Sequence, residues 1–152
     1  AHCLVYGGLY DWNEAMGYVS TAGAQGICPQ GWHLPTDAEW CVLTTYLDPT
    51  VDCNTMTWSG TDVGLMLKEA GTDHWNSFSP EGTNSSGFTA IGAGYRVDYG
   101  FFNDLLAAAY FWTSSRIIVS SVYRRNLYYA SGSVYRNTYP EAGGFSVRCV
   151  TD

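Results

Sequence analysis

Apolar positions recur at helical spacing in two places along this 152-residue chain. An acidic turn at Asp11 precedes Trp12, Ala15, Met16 and Val19, which predicts a first helix from about Asp11 to Ser20. The second helix is better marked. Thr36 followed by Glu39 has the spacing of a capping box ahead of Trp40, Leu43 and Leu47, and Asp48-Pro49 ends the run because proline cannot continue the turn. From Asn54 to Gly94 the chain is rich in Gly, Ser, Thr and Asn, with one short helical candidate over Gly64 to Ala70. The rest of that stretch reads as structured loop pinned by Trp58, Trp75, Phe78 and Phe88.

Beyond Gly94 the pattern turns to short strands. Phe111 to Ser114, Val122 to Tyr129, Ser133 to Asn137 and Phe145 to Val150 are β-branched or aromatic runs bounded by Gly, Ser, Asn or Pro. In the last of them Phe145, Val147 and Cys149 point one way and Ser146 and Arg148 the other. Two helices followed by a loop-rich, mainly antiparallel twisted sheet is an α+β layout. The length fits one domain over 1–152, with a scaffold at 1–110, a segment of different composition at 111–142 and a closing strand at 143–152. The expected core is Trp12, Trp32, Leu34, Trp40, Leu43, Trp112, Phe145 and Val147. Truncating a core Trp is expected to cost about 3 to 5 kcal/mol.

Composition sharpens the last division. From Val97 to Arg148, Lys, Gln, Met and His are absent, and Trp112 and Glu141 are the single Trp and Glu. The preceding 96 residues hold 15 of Lys, Gln, Met, Trp and Glu together. At that density about eight would fall in the later span, so two is a depletion. Tyr, Ser, Arg, Asn and Gly take their place, which is the vocabulary of a binding surface: Tyr brings a large amphipathic face with few rotors, and Ser, Gly and Asn adapt their hydrogen bonds. Charge divides at the same point. Ten acids against Lys68 and Arg96 give residues 1–96 a net of −8, whereas five Arg against three acids give 97–148 a net of +2, and Asp152 brings the total to −7. A nucleic-acid binder should be basic overall, so no nucleic-acid partner is expected.

The longest apolar run, Leu105 to Trp112, is too short to cross a bilayer, so no membrane insertion is expected. No basic start with an apolar stretch is present, so any signal peptide is expected to have been removed or to lie on a larger parent chain. Five cysteines without a Cys-x-x-Cys pair suit disulfides better than metal or redox motifs. Cys41 and Cys53 flank the Asp48-Pro49 turn and can close a local loop; Cys28 and Cys149 would tie the middle of the chain to its last strand and leave Cys3 over. Both bridges would place the protein in an oxidising compartment.

Several phrases are more specific. Tyr6-Gly7-Gly8-Leu9-Tyr10-Asp11-Trp12, the run from Ile27 to Trp40, His74-Trp75-Asn76-Ser77, Ser86-Gly87-Phe88, Phe111 to Ser115 and Gly144 to Val150 together resemble the Fibrobacter succinogenes major paralogous domain, in order and spacing, over essentially the whole chain. The resemblance implies a C-type-lectin-like fold, related to that of the formylglycine-generating enzymes, on secreted or surface proteins of bacteria and their phages. Leu105 to Ala109 and the apolar Arg116-Ile117-Ile118-Val119 depart from the family's pattern. Domains of this superfamily serve as variable proteins of diversity-generating retroelements, which randomise template adenines near the 3′ end. A randomised Asn codon ending in C or T can yield every residue type except Lys, Gln, Glu, Met and Trp, which is the depletion seen here.

Chemistry is sparse by comparison. His2, His33 and His74 are scattered, and no second His stands at zinc-ligand spacing; His33, between Trp32 and Leu34, reads as packed and hydrogen-bonded. The sugar-binding strings of calcium-dependent lectins are absent, and loop acids such as Asp62, Asp73 and Glu81 are a weak calcium set, so neither metal nor cofactor is expected. Oxidase relatives use a Cys pair near the C-terminus, where this chain has Cys149 alone. Neither a nucleophile elbow nor a phosphate loop is present, so an enzyme is not expected.

The expectation is a non-enzymatic, extracellular or cell-surface (or phage-virion) ligand-binding domain. Its partner would be a protein or glycan on another cell surface, and its parent a larger surface, pilus or tail-fibre protein. The alternatives are a carbohydrate-binding or structural accessory domain of a secreted protein and, further off, an oxidase-like relative. The recognition face is assigned to Arg116, Ile117, Ile118, Val119, Ser121, Tyr123, Arg124, Asn126, Tyr128, Ala130, Ser131, Ser133, Tyr135, Asn137 and Tyr139. Strand alternation puts Arg125, Leu127 and Tyr129 against the body and Arg124, Asn126, Tyr128, Tyr135 and Asn137 on the open side, with Ile117 to Val119 on a neighbouring loop as an apolar centre. Replacing those five open-side residues with Ala is expected to abolish binding and spare the fold.

Overall fold

The computed structural model describes residues 2–152. Its frame is a six-stranded sheet whose centre is antiparallel: β5 (Ala108–Ile118) and β6 (Ser121–Tyr128) form a long hairpin, and β7 (Val134–Pro140) pairs with the far side of β6. The short β2 (Trp58–Ser59) lies along β7. On the other side β3 (Ala93–Arg96) joins β5 in parallel, and β4 (Phe102–Leu105) closes that edge, giving the order β2-β7-β6-β5-β3-β4. A separate ribbon pairs β1 (Trp32–His33) with β8 (Val150–Thr151). The helices are α1 (Cys3–Tyr6), α2 (Trp12–Ala15), α3 (Asp37–Leu47) and α4 (Val63–Leu67). This is an α+β protein with few short helices and a mixed, mainly antiparallel sheet. Among the described residues no helix is long and apolar enough to cross a membrane.

The second helix starts where its sequence says. The Thr36 hydroxyl accepts from the Glu39 N–H at 3.1 Å, while the Glu39 carboxylate accepts from the Thr36 N–H at 2.8 Å, so both halves of the capping box form. The first helix is a single turn rather than the expected span to Ser20. Asp11 caps it by accepting from the Glu14 N–H, but Gly17 (φ 59°) and Tyr18 (φ 62°) then turn the chain left-handed, which no continuing helix allows. The predicted strand from Phe145 to Val150 is likewise reduced to Val150–Thr151. Phe145 and Ser146 instead make single bridges to Tyr10 and Phe111, so this segment stitches layers together without extending a sheet. The strands β3 and β4 were not expected; they lie inside a stretch rich in Gly and Asp, and Gly94 adopts φ 66° within β3.

Two apolar cores sandwich the central sheet. On one face Phe111, Ala109, Leu127 and Val134 pack with Trp40, Val63, Leu67 and Trp75 under α3 and α4. On the other, Trp112 and Val122 pack with Trp12, Met16, Leu34 and Phe145 under α2. The indole N–H groups of Trp12, Trp75 and Trp112 each donate to a backbone carbonyl, those of Thr113, Ala90 and Tyr10. Of the expected core, Leu43 and Val147 are only partly buried and Trp32 is 41% exposed: in the two-residue β1 its side chain alternates outward while His33 turns in to bond Glu39 and Asp152. Trp75 and Phe88 pin the long loop from within the core, and Phe78 and Trp58 pin it at the surface against Tyr129 and Tyr135. The cysteines pair as Cys28–Cys149 and Cys41–Cys53, the pairings expected from the chain, and Cys3 is free and exposed.

Candidate functional site

The register of the central strands decides which side chains meet. Trp112 stands opposite Arg124, Tyr110 opposite Asn126, Arg124 opposite Asn137, Asn126 opposite Tyr135, and Val122 opposite Tyr139. Cross-strand partners share a face, so Arg124, Asn126, Tyr128, Tyr135, Asn137 and Tyr139 assemble on one side of the sheet, with Tyr110 beside them. Trp58 pairs with Tyr135 and brings its ring to 5.0 Å from the Tyr135 ring. The layer formed by α2 and Phe145 covers this face as far as Trp112 and Tyr110. Toward Tyr128 the aromatic surface is open, with Trp58 40% and Tyr128 38% exposed.

Arg124 occupies the centre. Its guanidinium carbon lies 5.3 Å from the Tyr110 and Tyr135 rings, 5.6 Å from Tyr139 and 5.9 Å from Phe145. One of its N–H groups donates to Asn126 Oδ1 at 2.7 Å, and its Nε is buried without an acceptor. Among the described residues it has no carboxylate within ion-pair reach. Burial lowers its pKa, and the surrounding tyrosines offset only part of that shift. At the rim the Tyr110 hydroxyl donates to Asp104 at 2.7 Å; burial, with that carboxylate next, pushes the phenol pKa well up and keeps it protonated.

The opposite face of the same strands is fully paired. Arg125 and Arg136 both bind Asp37 at the start of α3, at 2.6 and 2.7 Å. Burial works to raise the Asp37 pKa, but the hydrogen bond from Arg136 and the charge of Arg125 outweigh it and hold the carboxyl below its usual range. Tyr123 lies on this side, with the Arg136 guanidinium 4.3 Å from its ring, so its assignment to the open face is corrected by strand parity.

Other expected site residues are placed elsewhere. Arg116, Ile117 and Ile118 continue β5 rather than forming a loop, and with Val119 and Ser121 they build the tip of the β5–β6 hairpin at the sheet's end. They are not an apolar centre for the Arg124 cluster, which sits mid-sheet. Arg116 is spent on an ion pair with Glu141 at 2.6 Å and on stacking 4.3 Å over Trp12. Ala130, Ser131 and Ser133 lie in the β6–β7 connection, held from within: the Ser131 hydroxyl accepts from the Ser133 N–H, the Ser133 hydroxyl donates to Gly60 O, and the buried Lys68 donates to the carbonyls of Tyr128, Tyr129 and Ser131. That turn lies so close to α4 that a Cβ on Gly64 would meet Ser133 O at 2.6 Å. Two members of the open face are also less free than expected. Asn126 is buried beneath its neighbours, and the Asn137 amide donates to Met56 O and to the Tyr135 hydroxyl. Their removal would disturb the sheet, so an alanine replacement of all five is no clean test of binding.

Trp58 and Tyr110 are the members that sequence reasoning missed. Tyr110 has a signal: once β5 is started at Ala108, two residues of alternation put Tyr110 and Trp112 on one face. Trp58 has none, because its place depends on a two-residue pairing across the chain. Among the described residues no three His, Cys, Asp or Glu side chains converge as metal ligands would.

Neither a curated protein nor a solved structure matches this chain. The model of the Fibrobacter succinogenes major domain matches residues 2–151, and the chain belongs to that family.

Proposed function

We propose that this is a non-enzymatic ligand-binding domain of C-type-lectin-like fold, displayed outside the cell by a larger surface, pilus or tail-fibre protein or on a phage virion. Its ligand, a protein or glycan of another cell surface, meets the open face of β5, β6 and β7. The observation that carries the reading is the convergence, on one partly exposed face, of Arg124, Tyr128, Tyr135 and Trp58 from three strands. Aromatic and Arg anchors grouped in this way are the usual make-up of a binding hot spot. Two disulfides support an oxidising compartment, because such bonds rarely persist in the cytosol.

The compositional depletion after Val97 supports diversification by a retroelement. Strands suit that use, since β5, β6 and β7 are held by backbone ladders and by the opposite face, leaving side chains such as Arg124, Tyr128 and Tyr135 free to vary. A reverse-transcriptase gene nearby, with an imperfect repeat of the 3′ segment differing at template adenines, is the expected genomic finding. Its absence would remove the diversification and leave the binding face.

The face itself is tested with Trp58→Ala and Tyr128→Ala together, both side chains being exposed at the rim. The expected result is an unchanged melting temperature and loss of binding on glycan and cell-surface arrays to which the parent domain binds. Retained binding would place recognition away from this aromatic face.

A further inference from the structure

Arg124 is held among aromatic rings without a counter-charge. Its side chain donates to a neutral amide, its Nε is buried with no partner, and four aromatic rings stand within 6 Å. A guanidinium carries five N–H donors, and a partly desolvated one with a single neutral acceptor lacks the counter-charge that such groups normally require. The other arginines of these strands have theirs: Arg116 pairs with Glu141, and Arg125 and Arg136 share Asp37. The rings offset part of the cost, yet they leave the Nε–H without an acceptor.

We propose that Arg124 anchors a carboxylate carried on a sugar ring, so that the ligand of this face is a glycan ending in an acidic pyranose. The proposal rests on the reading of this face as the recognition surface. A guanidinium and a carboxylate match as two parallel hydrogen bonds, a geometry that a neutral hydroxyl cannot reproduce. The surroundings favour a sugar as the carrier. Trp58 and Tyr135, with ring centres 5.0 Å apart and planes tilted by 54°, offer flat apolar surface to the C–H faces of a pyranose. The Tyr135 hydroxyl, which accepts from Asn137, keeps its own proton to give to a ring hydroxyl. Net charge argues against a polyanionic partner, because a domain at −7 repels an extended acidic surface while one terminal carboxylate meets little penalty.

The test uses the intact domain, labelled with nitrogen-15 and titrated with methyl β-glucuronide and with N-acetylneuraminic acid, against methyl β-glucoside as the neutral control. The Arg124 Nε–H and Trp58 indole N–H cross-peaks are followed. Both are expected to move with at least one acidic sugar, and binding of the neutral glucoside should be weaker by about tenfold or more, the difference carried by one charged hydrogen-bonded pair. Arg124→Gln should lose that discrimination while melting as the parent does. Equal binding of neutral and acidic sugars, an Arg124 cross-peak unmoved by both acidic probes, or full discrimination in Arg124→Gln would each overturn the proposal. The cross-peak readout needs no variant, so it decides the matter even if the substitution unfolds the chain. Failure here alongside array binding that Trp58→Ala and Tyr128→Ala abolish would remove the ligand class and leave the recognition face standing.

Discussion

Arg124 and Arg125 are neighbours in one strand and opposite in role. Arg125 is 2% exposed and meets Asp37 at 2.6 Å, where it joins α3 to the sheet together with Arg136. Arg124, on the other face, is surrounded by aromatic rings and has no acid. The difference is between a charge satisfied by the fold and a charge the fold leaves to be satisfied. Burial alone does not distinguish the two, since both side chains are substantially covered; the presence or absence of a counter-charge does.

The comparison breaks first at Asp37. Asp37→Ala leaves two arginines without their shared acceptor, and equilibrium denaturation should register a loss of about 3–5 kcal/mol. A loss below 1 kcal/mol would mean that water replaces the carboxylate and that the closed face is not held by charge. Lys68→Met is next. It strips the donor from the carbonyls of Tyr128, Tyr129 and Ser131 at the end of the open face, with an expected loss of about 2–3 kcal/mol and faster amide exchange in the β6–β7 connection.

Arg124→Gln sharpens the comparison from the other side. Removing a partly desolvated cation that has no counter-charge should change stability by less than about 1 kcal/mol, in either direction, as measured by thermal melting. A fall as large as that of Asp37→Ala would make Arg124 a structural residue. The smallest effect belongs to His33, whose pKa is raised above its ordinary 6.5, foremost by the hydrogen bond to Asp152, with Glu39 adding to it against desolvation. A raised value means that charged His33 stabilises the fold fully below pH 6.5 and that this contribution fades as pH rises through the folded value. The melting temperature of the parent should therefore fall slightly relative to His33→Gln between about pH 5.5 and about pH 8. Parallel curves would detach His33 from stability.

Much of this architecture was legible in the chain because it is set by local chemistry. The capping box at Thr36 and Glu39, the stop at Asp48-Pro49, the hairpin strands and the parity that turns Arg125 inward and Arg124 outward all follow from spacing over a few residues. So does the change of composition after Val97. What the chain could not declare depends on partners far away in sequence. Trp32 looks like a core residue, and Trp58 like a mere loop pin, until short pairings with Thr151 and Tyr135 place the one at the surface and the other beside the open face. Ile117 to Val119 look like an apolar centre until β5 carries them to a hairpin tip. Most of all, the sequence holds five arginines after Val97 with no sign of which are neutralised; Asp37 lies 88 residues before Arg125, and only folding assigns it there and leaves Arg124, like Arg148, without a counter-charge. Periodicity and capping act through nearest neighbours and are written along the chain, whereas charge pairing acts through space and is decided only when the strands and α3 have met.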